Sequence, residues 1–483
     1  MSNSHFFHKD YLEKILDECL NKTLGEVDKN NVFDKAKGKP KITGIAGDVI
    51  EQSVLGYPAD TRQEPDLDID GIKTELKTTG IKYKNNKKEF VAKEPMSITA
   101  VSPDTIVNEK FSDSNFWHKI EHMLFVYYLY DSPTTVKSSQ YANFPIKGYQ
   151  FHEFNSEDVE ILKNDWKLVR DFIIGLQKEY ENYEDEYPRI SYELRPSLMY
   201  IDTAPKWPNR PRFRLKRKIV SNIIQKHFGE TLEQLPKKYT SYSEIEEKCH
   251  NLSEEYGGKT IEELINLLDI NVNTINKAIG EQIIVKMFGG KSKKMQNIEL
   301  FNKLGIIGKT ITLTENKTRK EDMKLFTIDF DEIVNEECEF EDSQFYDYFA
   351  NNKFLCIIFQ KHYADSKRIE DKFVGFKMIN FDEQFIQRDV RQTWLKIKYL
   401  IINNKLQDVI SLNKEGKPIK NKNGEIRRAP NFPKSSEGNV FVRGTSTTSD
   451  VKPLNINGIQ MYYQQIWIKG LYIVEKLNNE SYI

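Results

Sequence analysis

The chain has 483 residues, 39% of them hydrophobic and 12% aromatic, which is enough apolar surface for two or more ordinary cores and excludes a disordered polymer. Its formal net charge is −1, so attraction to a polyanion has to come from local patches and not from the field of the whole molecule. Four scattered cysteines, Cys19, Cys249, Cys338 and Cys356, form no CxxC pair, which argues against structural zinc and against a disulfide framework.

The first predicted elements are helices over 10–20 and 45–55. In the second, IAGDVIEQSVLG, Glu51 falls between Val54 and Leu55 on a helical wheel, and a carboxylate inside an apolar arc wants a cation or a donor. Next comes EPDLDIDGIKTELKT (64–78), with a strand over 70–78. Alternation puts Ile72, Thr74 and Leu76 on one face and Lys73, Glu75 and Lys77 on the other. If Asp66 lies on an adjoining strand or turn, Asp66 and Glu75 offer oxygens to Mg²⁺ and Lys77 can polarise an attacking water, the donor set of metal-dependent phosphodiester cleavage. The bland alternative is that the three charged residues are a solvated strand face. Strands follow over 88–92 and 96–101. In FWHKIEHMLFVYYLYD (116–131) a polar-aromatic segment runs into a strand over 122–130 that is apolar on both faces, so Lys119 sits at the mouth of a buried strand. A long helix over 156–179, a strand over 190–195 and a helix over 217–228 complete the first half. Between the last two, KWPNRPRFRLKRK (206–218) carries Lys206, Arg210, Arg212, Arg214, Lys216, Arg217 and Lys218 with no acid, and Trp207 and Phe213 interleaved. Alone it reads equally as a solvated face; beside carboxylates of this kind it reads as phosphate contact.

The order GDVIEQSVLG, PD…ELKT, HKIEHMLFVYY, NDWKLVRDFIIG, ELRPS and RFRLKRK resembles the MutH-like endonucleases, the mismatch-repair enzyme and its relatives among GATC-specific restriction enzymes. The resemblance implies Glu51, Asp66, Glu75 and Lys77 as the metal-binding and catalytic set, with Glu51, Asp66 and Glu75 as ligands, and Lys119 as an additional active-site lysine. It leaves Asp68 and Asp70 as competitors for the aspartate position, because the family places that residue closer to the ExK glutamate. It also implies DNA contacts from Arg195, Ser197, Arg212, Arg214 and Lys216, with arginine suited to guanine O6 and N7. At the positions of Ser197 and Arg214 the family has a lysine and an aromatic hydroxyl residue.

The polar stretch 234–257, either a helix or a loose linker, separates this catalytic half (1–233) from a second half (258–483) that echoes it in order. NKTLGEV returns as GKTIEEL, GDVIEQSVLG as GEQIIVKMFGG, DGIKTELKTT as LGIIGKTITL, HMLFVYYLY as KFLCIIFQK, and RFRLKRKIV as IWIKGLYIV. We read two tandem copies of one MutH-like α/β fold, each a mixed sheet flanked by helices. In the second copy Glu51 becomes Ile284 and the ELK triplet becomes Gly308 to Ile311, so no carboxylate pair remains. Basic residues persist: Arg443 in place of Arg195, Lys469 in place of Lys216, and a stretch at 415–428 with Lys417, Lys420, Lys422, Arg427 and Arg428. The expectation is a Mg²⁺-dependent restriction endonuclease of the type IIE kind, cutting double-stranded DNA at GATC, whose silent C-terminal half binds a second copy of the site. A DNA-induced homodimer is a further expected partner. A packing role for the second half, a mismatch-repair nicking enzyme and a non-catalytic DNA-binding protein are the alternatives. No glycine-rich phosphate loop, nucleophile elbow or HExxH appears, and GGKSKK (289–294) lacks the P-loop spacing. With no leader signal and no apolar run near the roughly 20 residues of a bilayer span, a cytoplasmic protein is expected.

Overall fold

The alternation of strand and helix patterns folds into mixed α/β structure in both halves. The computed structural model describes residues 5–36, 44–58, 64–84, 89–132, 136–204, 210–271, 278–316, 318, 321–335, 338–363, 365–413, 415–420, 424, 426–446 and 451–483. The chain divides into two units, the first made of Met1–Ser132, Val136–Ile245 and Gln296–Gly305, the second chiefly of Glu246–Met295 and Ile306–Ile483.

In the first unit the strands are β1 (Phe6–Phe7), β2 (Leu67–Ile69), β3 (Ile72–Tyr83), β4 (Phe90–Ala92), β5 (Met96–Ala100), β6 (Met123–Leu129), β7 (Ile146–His152), β8 (Ile201–Asp202) and β9 (Arg212–Leu215). The main sheet runs β1-β2-β3-β6-β7, with β4 also on β3. β3 organises it: β6 lies parallel along one edge over Glu75–Ile81, while the other edge takes β2 near Thr74 and β4 near Ile81, both antiparallel. Every residue of β6 is buried, as expected of a strand covered on both faces. On one face Leu76, Leu124 and Val126 pack with Leu12 and Leu16 of the Lys9–Asp17 helix and with Val49 and Ile50. The Ser156–Glu179 helix begins at Asn155, whose side chain accepts from the Asp158 N–H at 2.9 Å. It buries Ile161, Leu162, Asp165, Trp166, Val169, Ile173 and Leu176, a single helical stripe. β5, β9 and β8 form a second, antiparallel sheet.

One expectation needs correction and one open alternative is decided. Residues 190–195 are not a strand: Tyr183–Ser191 is a 3₁₀ helix followed by turns, in keeping with Pro188, which has no N–H to give a ladder. The stretch 234–257 carries a helix, Tyr242–Tyr256, because Ile245, Cys249 and Leu252 recur at helical spacing and are buried. The division between units falls inside it.

The second unit holds β10 (Ile306–Leu313), β11 (Met323–Thr327), β12 (Lys353–Gln360), β13 (Lys372–Ile379), β14 (Asp408–Ile410), β15 (Arg428–Pro430), β16 (Val440–Thr445), β17 (Leu454–Ile456), β18 (Ile459–Met461) and β19 (Tyr463–Ile468). β10 lies parallel to β12, and β12 antiparallel to β13, as β3, β6 and β7 do. β11, β19 and β16 form an antiparallel triplet like β5, β9 and β8. Thr23 and Thr260 both cap short helices with a reciprocal glutamate, Glu26 and Glu263, and both bridge to the start of the third strand, at Pro145 and Lys372. The second core is phenylalanine-rich, with Phe345, Phe349, Phe354 and Phe385 all buried.

Candidate active site

Strand pairing carries Glu75 into the interior. Its N–H donates to the His122 carbonyl at 2.9 Å at the mouth of β6, and the residue is only 2% exposed. A carboxylate this buried needs cations. Lys77, two residues on and on the same face of β3, places Nζ 2.7 Å from Oε1. Lys119 places Nζ 3.0 Å from Oε1 and 2.8 Å from Oε2. It comes from the last turn of the Asn115–Ile120 helix, which is fixed by Ser114 accepting from the Trp117 N–H at 3.1 Å.

Asp66 stands just before β2 and turns its side chain toward β3, where Oδ2 accepts from the Leu76 N–H at 3.0 Å. Burial, and then the charge of Glu75, push its carboxyl up to about 6 against the pull of Lys77 and Lys119. Glu51 lies in Ile50–Leu55, a stretch of π-helix that continues the Ile45–Val49 α-helix. Burial, then Asp66 and Asp48, push Glu51 up to about 7, with Lys77 opposing. The five expected residues therefore share one electrostatic neighbourhood, and Asp68 and Asp70 do not join it. Asp68 accepts from the Gly71 N–H at 2.9 Å and pairs with Lys73 at 3.1 Å. Asp70 accepts from the Lys9 N–H at 2.9 Å and meets His8 at 2.7 Å, holding the β2–β3 turn and the start of the first helix.

Glu51, Asp66 and Glu75 face two ammonium groups, and burial first, with this carboxylate excess second, makes Glu51 and Asp66 hold their protons above the ordinary range. That excess, and a donor set of hard oxygens only, fits a small divalent cation. Among the described residues no three His, Cys, Asp or Glu side chains are grouped closely enough to hold an ion as they stand. Both Glu75 oxygens are instead turned to lysine.

The basic segment is partly engaged within the protein. Lys206 and Trp207 lie outside the described residues. Phe213 and Leu215 of β9 point into the core, Arg212 is exposed, and Arg214 forms a two-point pair with Asp202, Nε–Oδ1 2.7 Å and Nη2–Oδ2 3.2 Å. Lys216 donates to the Leu198 carbonyl, and burial lowers its pKa against the pull of Asp165 and Asp202, so it is not the exposed cation expected of a phosphate contact. Arg195 is half-buried and Ser197 exposed, both in the turns after the 3₁₀ helix. Sequence reasoning missed Asp165, 2% exposed, which accepts from the N–H groups of Met199, Tyr200 and Ile201 at 2.9, 2.7 and 3.1 Å and so shapes this segment. A carboxylate inside the apolar stripe of the long helix was its signal.

The register shifts by one residue after Tyr127 in β6 of the first unit and after Ile358 in β12 of the second, which makes Met123 the counterpart of Phe354. Glu75 then corresponds to Ile307 and Lys77 to Lys309, two residues earlier than the sequence echo aligned them. Counting from the caps Ser114 and Ser343, Lys119 corresponds to Tyr348. Arg443 lies within β16, where the register matches it to Ala204 and not to Arg195, which sits in turns ahead of β8; it pairs with Asp322 at 2.8 Å and lies over the Trp467 ring, 4.8 Å from its centre. Lys469 immediately precedes the Gly470–Asn478 helix as Lys216 precedes Arg217–His227. Lys422 lies outside the described residues.

Residues 55–165 match the family model of the DNA mismatch repair enzyme MutH, a span that contains Asp66, Glu75, Lys77 and Lys119. The chain is also 25% identical, over 504 aligned positions, to the type II restriction enzyme Sau3AI of Staphylococcus aureus, covering 93% of this chain and 98% of that one. Among the described residues no helix is long and apolar enough to cross a membrane.

Proposed function

We infer from this similarity and this geometry that the chain is a type II restriction endonuclease, hydrolysing phosphodiester bonds of double-stranded DNA at a short specific site. GATC is the sequence its MutH-like character implies. The observation that carries the reading is Glu75, buried between Lys77 and Lys119 beside Asp66 and Glu51, in a chain similar over nearly its whole length to a restriction enzyme.

Asp66, Glu75 and Glu51 would hold a divalent cation, for which we propose Mg²⁺, and its chemistry there is Lewis-acid activation of water and charge neutralisation at the phosphate. The chain's own residues do the rest. Lys77, tethered to Glu75, is placed to orient the attacking water and hold its proton-donating edge toward the carboxylates. Lys119 would offset negative charge on the attacked phosphate, and the burial of Glu75 and Lys119 strengthens their interaction by excluding water. Arg195, Ser197, Arg212 and Arg214 are proposed to approach the DNA, Arg214 with its guanidinium already oriented by Asp202. Lys216 is better placed as a structural cation beneath them.

For the second unit we propose a silent copy of the same fold that binds another copy of the site, with Arg443 and Lys469 among its contacts. Ile284, Ile307 and Tyr348 at the places of Glu51, Glu75 and Lys119 support the loss of chemistry. Pairing of two chains on DNA is part of the same proposal. Incubating purified chain with Mg²⁺ and plasmids of known sequence tests the reading: discrete double-strand fragments ending at one short sequence are expected, whereas nicks alone would indicate a repair-type activity and intact plasmid a binding protein.

A further inference from the structure

Between the Arg391–Ile402 helix and β16 the second unit carries an element that the first unit lacks at the corresponding place. β14 and β15 pair antiparallel from Asp408↔Pro430 to Ile410↔Arg428, and the ladder continues beyond them. The Ser411 N–H donates to the Arg427 carbonyl at 2.8 Å, Ile419 to Ser411 at 2.8 Å and Arg427 to Ile419 at 2.7 Å, folding the segment 417–420 back beside the ribbon. Asn413 Oδ1 accepts from the N–H groups of Glu415 and Lys417, both at 2.9 Å, and closes the turn with Gly416 at positive φ. At the root Asn431 Oδ1 accepts from the Gln407 N–H at 2.9 Å and its Nδ2 donates to the Lys405 carbonyl at 3.1 Å.

This arm is ordered by backbone hydrogen bonds without a core of its own. Among the described residues from Asp408 to Pro430 none is buried, and Ile410, Leu412 and Ile426 are 39, 56 and 46% exposed. A ribbon of that size fixes backbone entropy with little apolar burial in return, which makes its surface one built for contact. Its charge states what kind. Residues 405–431 hold seven Lys and Arg against three Asp and Glu, in a chain whose net charge is −1. Lys417, Lys420, Arg427 and Arg428 are all exposed, and Arg428 is steadied by Asp408 at 2.9 Å.

We propose that the described residues of Asp408–Pro430 form a β-ribbon arm that grips duplex DNA, its cations on phosphates and its aliphatic side chains against sugars and base edges. A narrow β-ribbon fits the major groove, and exposed aliphatics suit thymine methyl groups there. The choice of DNA as the polyanion rests on the nuclease reading. The arm itself belongs to no part of the cleavage site.

The test uses the full chain carrying Glu75→Ala, with or without Lys417→Gln, Lys420→Gln and Arg427→Gln together, and fluorescence anisotropy on a duplex holding one GATC site at several salt concentrations. Loss of three phosphate contacts should weaken binding about tenfold or more and flatten the log–log salt dependence by roughly 2 to 3. Unchanged melting temperature is expected, since none of the three side chains is buried. Leu412→Ser with Ile426→Ser should weaken binding without changing the salt slope. Identical affinity and slope in all variants would overturn the arm. So would a triple variant whose defect lies in sedimentation of the free chain or in binding to phosphatidylserine vesicles while DNA affinity is kept. Residual cleavage by Glu75→Ala would instead count against the active-site reading and leave the comparison of arm variants intact.

Discussion

Glu75 accepts from two lysines at once, and a single substitution there removes both the carboxylate and the reason those ammonium groups are held in place. Glu75→Ala and Lys77→Ala should each lower Mg²⁺-dependent cleavage by at least about a hundredfold while DNA binding persists, because the basic surface is untouched. Undiminished cutting by both would remove the assignment. The aspartate divides more sharply. Asp66→Ala should be inactive, whereas Asp68→Ala, which loosens a surface turn, should keep cleavage within a few-fold; the reverse pattern would move the ligand to Asp68. The raised pKa values of Glu51 and Asp66, about 7 and about 6, give a third outcome. A carboxylate raised in the folded state contributes stability that is full below its ordinary value and lost as pH rises through the folded one. Without a divalent ion the site is thus weakest above pH 7. Mg²⁺ should raise the melting temperature more at pH 8 than at pH 5.5, where protons compete for the same oxygens. Equal shifts at both pH values would contradict the shared site.

The elements that sequence predicts well are those with many turns or alternations to average over. The helix expected over 156–179 is found at Ser156–Glu179, and the one over 217–228 at Arg217–His227. β6 was visible as an unbroken apolar run. What could not be read were β1 and β2, of two and three residues, which exist only because β3 offers an edge to β2 and β2 in turn offers one to β1. The choice of Asp66 over Asp68 belongs to that same local geometry, since alternate residues of a short strand look alike in sequence while only one faces the Leu76 N–H. The π-helical turn that carries Glu51 also left no periodic trace distinct from an α-helix. Asp165 shows how a buried carboxylate acts at this scale. It ties the long helix to three consecutive N–H groups at the start of β8, and burial raises it to about 6 despite them and Lys216. Asp165→Ala leaves those donors unpaired and should cost about 3–5 kcal/mol in urea denaturation, with Asp165→Asn recovering part of the loss through its remaining carbonyl. A change under about 1 kcal/mol would mean that the segment finds other partners.

At the scale of the whole chain the question is what a second unit contributes when its strand pairings follow the first but Ile307 and Tyr348 stand where Glu75 and Lys119 do. The Glu75–Lys119 pair has no equivalent there, and of Glu75, Lys77 and Lys119 only Lys77 keeps a counterpart, Lys309, whose Nζ donates to the Lys324 carbonyl at 2.8 Å. Basic residues are present elsewhere in this unit, Arg443 held by Asp322 and Lys469 at a helix start. If the second unit binds DNA as proposed, its occupancy matters to cleavage only by changing what the first unit does, and such coupling is reciprocal and limited by the difference in affinity between the two states. The full-length enzyme should therefore cut a plasmid with two sites several-fold faster than one with a single site at equal total site concentration. Adding a short duplex that contains the site should accelerate the slow substrate, and a duplex of scrambled sequence should not. Arg443→Ala, which leaves Glu75 and its lysines in place, should narrow the gap between the two plasmids while sparing the single-site rate. If both plasmids are cut equally fast and added duplex only competes, the second unit has no voice in catalysis and its likeness to the first is structural alone.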